Sequence, residues 1–143
     1  MLGRSSRLFE EVSNNLGVLD YSIHLASGDF NRDGILDVAY EGNNFIAVAE
    51  GNGDGTFNVQ EILSCEFPTY GIAASDINGD RLPDIVAVAS QVVLFTNDGL
   101  GGFLRSFLAA GTASSQVVPS DFNGDLKPDL ALRGSFIVIL FGQ

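Results

Sequence analysis

Apolar residues in this chain come in short blocks, set apart by stretches rich in Gly, Asn and Asp. Three pairs of blocks stand out: 37–40 with 45–48, 84–89 with 92–95, and 129–132 with 137–141. Each block is a few residues long, rich in Val, Ile, Ala and Phe, and bounded by turn-forming residues. That is the signature of β-strands, and no stretch repeats with a helical period. The blocks do not alternate with polar residues, which predicts strands buried on both faces. A shorter stretch precedes each pair: Ile23–Ser27, Gly71–Ser75 and Gln116–Ser120. A Gly/Asn/Asp turn follows the first two pairs, Gly51–Phe57 and Asn97–Phe103, and a fourth stretch starts at the closing Phe.

The unit therefore predicts four strands, and it recurs. Its most polar segment reads D-x-N-x-D-x-x-x-D at 29–37, 76–84 and 121–129, with periods of 47 and 45 residues. A fixed period of this length marks a repeat architecture, and four short strands per unit make the blade of a β-propeller. The expected fold is all-β: one repeat domain over 1–143 with three four-stranded blades, forming a partial propeller or half of an oligomeric ring.

Charge narrows the partners. Eighteen acids against seven Lys and Arg give a net charge of −11. That argues against nucleic acid and anionic membrane surfaces, both of which call for basic patches. A single Cys and a single His argue against a disulfide framework, a Cys-rich zinc site and a His-based catalytic cluster. The longest apolar run, Phe136–Phe141, is far too short to cross a bilayer as a helix. The first seven residues carry no apolar core of an export signal.

Nine of the twelve Asp residues lie in the three D-x-N-x-D-x-x-x-D segments, so the acidity is concentrated in loops. A hard divalent cation needs several converging oxygens, and calcium takes six to eight. Side chains at positions 1, 3, 5 and 9, with the carbonyl of position 7, supply such a set. The first candidate site uses Asp29, Asn31, Asp33, Asp37 and the carbonyl of Ile35. The second uses Asp76, Asn78, Asp80, Asp84 and the carbonyl of Leu82. The third uses Asp121, Asn123, Asp125, Asp129 and the carbonyl of Lys127. Each gathers three carboxylates whose repulsion a cation would relieve. About three Ca²⁺ per chain are expected, in preference to Mg²⁺, which demands stricter geometry. An EF-hand is excluded: position 12 is Tyr40, Ala87 or Leu132 instead of Glu, and strand-like sequence follows.

These segments resemble the FG-GAP / VCBS repeats, the calcium-loop repeats of integrin α-subunit-like propellers. Gly28–Gly34 and Gly51–Phe57 carry the likeness most closely, and 76–86 and 121–131 follow it. The resemblance implies structural calcium in peripheral loops, ligand recognition on other loops, and a place outside the cell or on its surface. Arg32, Arg81 and Leu126 depart from it where Gly is usual, and position 6 is weakened if its backbone is left-handed.

The phase of the repeats sets a further expectation. Phe9 lies 20 residues before Asp29, as Phe57 lies 19 before Asp76 and Phe103 lies 18 before Asp121. Residues 1–12 are thus expected to be an outer strand that completes the last blade. Such a chain is either a segment of a longer propeller or self-associates through open blade faces, two copies making six blades. Functionally it reads as a non-catalytic calcium-binding module for protein or glycan interaction and adhesion. The alternatives are a purely structural segment of a larger surface protein, a lectin, or a propeller attached to a hydrolase. Identical carboxylates in every repeat suit ligation better than a single asymmetric active site. His24 reads as a strand-end residue and Cys65 as a loop or strand-edge residue.

Overall fold

The computed structural model describes residues 11–14, 16, 24–108 and 115–143. Among the described residues, eleven strands form three antiparallel sheets. The first sheet runs in order β1 (Leu25–Gly28), β2 (Asp37–Gly42), β3 (Phe45–Gly51) and β4 (Phe57–Ser64). The second repeats it with β5 (Gly71–Ser75), β6 (Asp84–Val88), β7 (Val92–Asn97) and β8 (Phe103–Leu108). The third holds β9 (Gln116–Ser120), β10 (Asp129–Arg133) and β11 (Ile137–Leu140). The expected architecture of propeller-like blades is present, and the third sheet has three described strands where the repeat predicts four. Of the expected outer strand at 1–12, residues 1–10 lie outside the described residues. Glu11 to Asn14 are described and form no strand.

The sheets stack face to face, with first strands side by side: β1 lies against β5, and β5 against β9. The middle strands explain the missing alternation. In β6, Ile85 and Ala87 point into a core shared with Ala39, Ile46, Val48 and Leu63 of the first sheet. Val86 and Val88 point the other way, into a core shared with Val117, Leu130 and Leu132 of the third. Every residue of β6 is buried. Full burial of an aliphatic side chain contributes roughly 1.5–3 kcal/mol, so the stacked second sheet is the thermodynamic centre of the molecule. The outer strands β4 and β8 are largely exposed.

The remaining face of the first sheet has its own cover. Tyr40, Ala47 and Ala49 pack with Leu16, Phe45 and Phe57. The Tyr40 hydroxyl donates to the Leu16 carbonyl at 3.1 Å. Asn14 donates through Nδ2 to the Gly55 carbonyl at 2.8 Å and accepts from the Phe57 N–H at 3.1 Å. The third sheet, in contrast, leaves Ile137 of β11 75% exposed, and Phe136 in the turn before it is 79% exposed.

Candidate metal centre

Each Asp-rich segment links the first strand of a sheet to the second, so all three loops sit at the same end of their sheets. Each is built from Asx-type turns. At position 1, Asp29 accepts the N–H groups of Asp33 and Gly34 at 3.1 and 3.0 Å. Asp76 accepts those of Gly79 and Arg81 at 2.7 and 2.8 Å. Asp121 accepts those of Gly124 and Leu126 at 2.6 and 2.9 Å. At position 3 the Asn31, Asn78 and Asn123 carbonyls accept the N–H of position 5, each at 2.9 Å. Their amides donate to Oδ2 of Asp33, Asp80 and Asp125 at 3.0, 2.8 and 3.1 Å. Oδ1 of those same Asp residues accepts the N–H of Ile35, Leu82 and Lys127 at 2.7, 2.8 and 2.9 Å.

Two positions per loop have left-handed backbone. Position 4 is Arg32 (φ 65°), Gly79 (80°) or Gly124 (84°). Position 6 is Gly34 (82°), Arg81 (70°) or Leu126 (68°). Every loop thus pairs one Gly with one residue that adopts this conformation at a cost of about 1–2 kcal/mol. The condition attached to position 6 in the sequence is met, and position 4 shares it.

Position 9 differs from the other three in burial. Asp37, Asp84 and Asp129 are fully buried. Each accepts an N–H from position 2 of its own loop, Phe30, Ile77 or Phe122, at 2.8, 2.9 and 2.8 Å. Its other oxygen accepts an N–H from the end of the third strand or just beyond it, Gly51, Asn97 or Gly142, at 3.0, 2.9 and 2.8 Å. The carboxylate ties the loop to the far hairpin of its sheet. Sequence spacing marks this residue only as a ligand, because a buried acceptor and an exposed one look alike in a list of carboxylates.

The loop carboxylates feel these donors. The N–H groups of Leu126 and Gly124 hold the Asp121 carboxyl below the usual carboxylate range. Burial pushes Asp84 up, against the N–H bonds from Asn97 and Ile77.

The side chains at positions 1, 3 and 5 supply oxygen donors at the exposed surface of the loop, the set that suits a hard cation. Their current hydrogen bonds are internal to the loop. Among the described residues, no three His, Cys, Asp or Glu side chains are gathered closely enough to hold an ion between them. Each carboxylate oxygen that accepts one N–H keeps a second lone pair, so the donor set at these positions is of the kind that calcium takes.

The FG-GAP-like repeat model matches residues 29–87 and again 76–132. The chain belongs to the FG-GAP-like repeat family. The two matches run from the first Asp-rich loop into β10, and each spans one loop, the three strands after it, the first strand of the next sheet and the next loop. No curated protein matches the chain.

Two polar features of this FG-GAP-like chain lie outside the loops and break its repeat. The buried Asn97 side chain donates to the Phe30 carbonyl at 2.8 Å, bridging the second sheet to the first loop. His24, just before β1, places Nδ1 2.6 Å from Oε1 of Glu41, which is 2% exposed. The other Glu41 oxygen is buried and finds no partner among the described residues. No described hydroxyl or thiol bonds to His24. Cys65 directly follows β4 and is fully buried; desolvation pushes its thiol up to about 12. These contacts depend on pairs far apart in sequence, and only their departure from the repeat distinguishes them beforehand.

Proposed function

We propose that this chain is a non-catalytic β-propeller repeat module stabilised by about three structural calcium ions, serving protein or glycan recognition and adhesion outside the cell or at its surface. The observation that carries the reading is the threefold repetition of one loop geometry, with the same oxygen donors at positions 1, 3, 5 and 9. Asp29, Asn31, Asp33, Asp37 and the Ile35 carbonyl hold the first ion, and the second and third loops repeat the set. Calcium supplies positive charge against three carboxylates per loop. The chain's own residues do the rest: position 1 anchors the turn, positions 3 and 5 close over the ion, and position 9 fastens the loop to its sheet. Three ions bring the formal charge from −11 to −5.

The test is Asp80→Ala. It should lower the melting temperature in calcium much more than in chelator. Equal shifts in both conditions would remove the second loop from the metal-binding set.

We further propose self-association through the open sheet faces, two copies giving six blades. Its support is the exposed apolar surface of the third sheet, where Val118 and Ile137 stand open, with Phe136 exposed in the adjoining turn.

A further inference from the structure

The three sheets can be compared with one another at their outer edges. At the boundary between the first and second sheets, β8 opens with Phe103, whose ring meets Phe30 of the first loop edge-on at 5.9 Å. Phe103 pairs with Asn97 across the hairpin, and Phe57 pairs with Gly51 in the same way. Gly51 and Asn97 each donate their N–H to the position 9 Asp, and the third residue to do so is Gly142. Gly142 is therefore where a Phe opening the fourth strand of the third sheet would pair.

The packing place for that ring exists. Ile77 stands in the second loop where Phe30 stands in the first. It lines a groove of about 340 Å³ with Leu108, Pro128, Leu130, Leu140 and Phe141. No described strand pairs with the outer edge of β11.

The other half of the fit is at the far end of the stack. Val12 lies over Gly55, 3.5 Å from where a Cβ on that glycine would be. In the second sheet the matching glycine is Gly101, and the β4 residues Gln60 and Glu61 line one small cavity with it. Val12 and Asn14 therefore lie on the turn of the first sheet on the side from which β4 approaches the turn of the second, where a fourth strand of a preceding sheet would pass. The Phe that would open that strand is Phe9, by the same spacing that places Phe57 and Phe103.

We infer that residues 9–14 of one copy add to β11 of a second copy as its antiparallel fourth strand, with Phe9 opposite Gly142 and its ring in the groove lined by Ile77, Leu108 and Leu140. This rests on the self-association proposed above and assigns its site. Strand addition of this kind gains affinity from main-chain hydrogen bonds and specificity from the seated side chain. Made reciprocally by two copies, it leaves no open third sheet.

The test uses the 143-residue chain in calcium, measuring mass by light scattering and amide exchange along 137–141. The expected result is a mass of twice 15.1 kDa with slow exchange in β11. Phe9→Asp should raise the dissociation constant at least tenfold and restore fast exchange there, and Phe9→Leu should do so less. Circular dichroism of the separated Phe9→Asp chain should keep the wild-type spectrum; if that variant unfolds, Phe9→Leu carries the comparison. A wild-type dimer indifferent to both substitutions, or with fast exchange in β11, overturns the strand addition and leaves self-association by another face. A wild-type mass of 15.1 kDa overturns both and gives the groove to a strand from elsewhere.

Discussion

Arg81 and Leu126 hold a left-handed backbone that Gly adopts without steric cost, and nothing in the loop requires their side chains: Leu126 is 92% exposed. Replacing either by Gly removes that strain but gives the unfolded chain more freedom to lose, so the two terms partly cancel. Arg81→Gly and Leu126→Gly should each raise stability by about 0.5–1 kcal/mol, read from urea unfolding. A loss of stability would mean that these side chains matter in a way the loop geometry does not show. Cys65 has no access to solvent and a thiol held near 12, so the native protein should resist alkylation by iodoacetamide at pH 8 and react only on unfolding. Rapid native labelling would contradict the buried position. Its folded value lies above the unfolded one, so any stability tied to it is present at neutral pH. That contribution is lost as pH rises beyond about 8.5, the ordinary thiol value.

Among the elements, the Asp-rich loop divides into two jobs. Positions 1, 3 and 5 shape the exposed turn, whereas the buried Asp at position 9 joins the loop to the far hairpin through two N–H bonds. Asp84→Ala leaves the N–H groups of Ile77 and Asn97 without acceptors, each costing about 1–3 kcal/mol. Its destabilisation should therefore be large and remain in chelator, unlike that of Asp80→Ala. If chelator abolished the Asp84→Ala effect, the residue would act only through metal. The acid limb divides similarly. The lowered folded value of Asp121 gives stability that is present above the ordinary Asp value of about 4 and lost as pH falls through the lower folded value. Asp84, raised by burial, acts in reverse: its contribution favours folding at low pH and is lost as pH climbs from about 4 through its raised value. Asp84→Asn, which removes that titration, should flatten this limb of a stability–pH curve, whereas an unchanged curve would show that Asp84 titrates alike in both states.

At the scale of the whole molecule, the blade order was legible in the chain because strands buried on both faces leave unbroken apolar runs, as at Ile85–Val88. The loops were legible because their polar residues are local and recur at a fixed period. What escaped depends on tertiary partners. The double N–H capture by Asp37, Asp84 and Asp129, the Asn97 bridge to Phe30 and the pairing of His24 with buried Glu41 all join residues brought together only by the fold. The left-handed turn at Arg32 was hidden for a different reason, since local strain there is offset by hydrogen bonds that its loop makes elsewhere. Stacked sheets joined through such loops should gain stability together when the loops are filled, because a ligand that binds only the folded state adds about 2.7 kcal/mol per site at one hundred times its dissociation constant.

The most direct measurement is calorimetric titration of the chelator-stripped chain with Ca²⁺, with thermal melting followed at each point. About three ions per chain should bind saturably, and the melting temperature should rise as they bind. Absence of binding heat together with the same melting temperature in calcium and in chelator would contradict this, and would leave the loops as hydrogen-bonded turns alone.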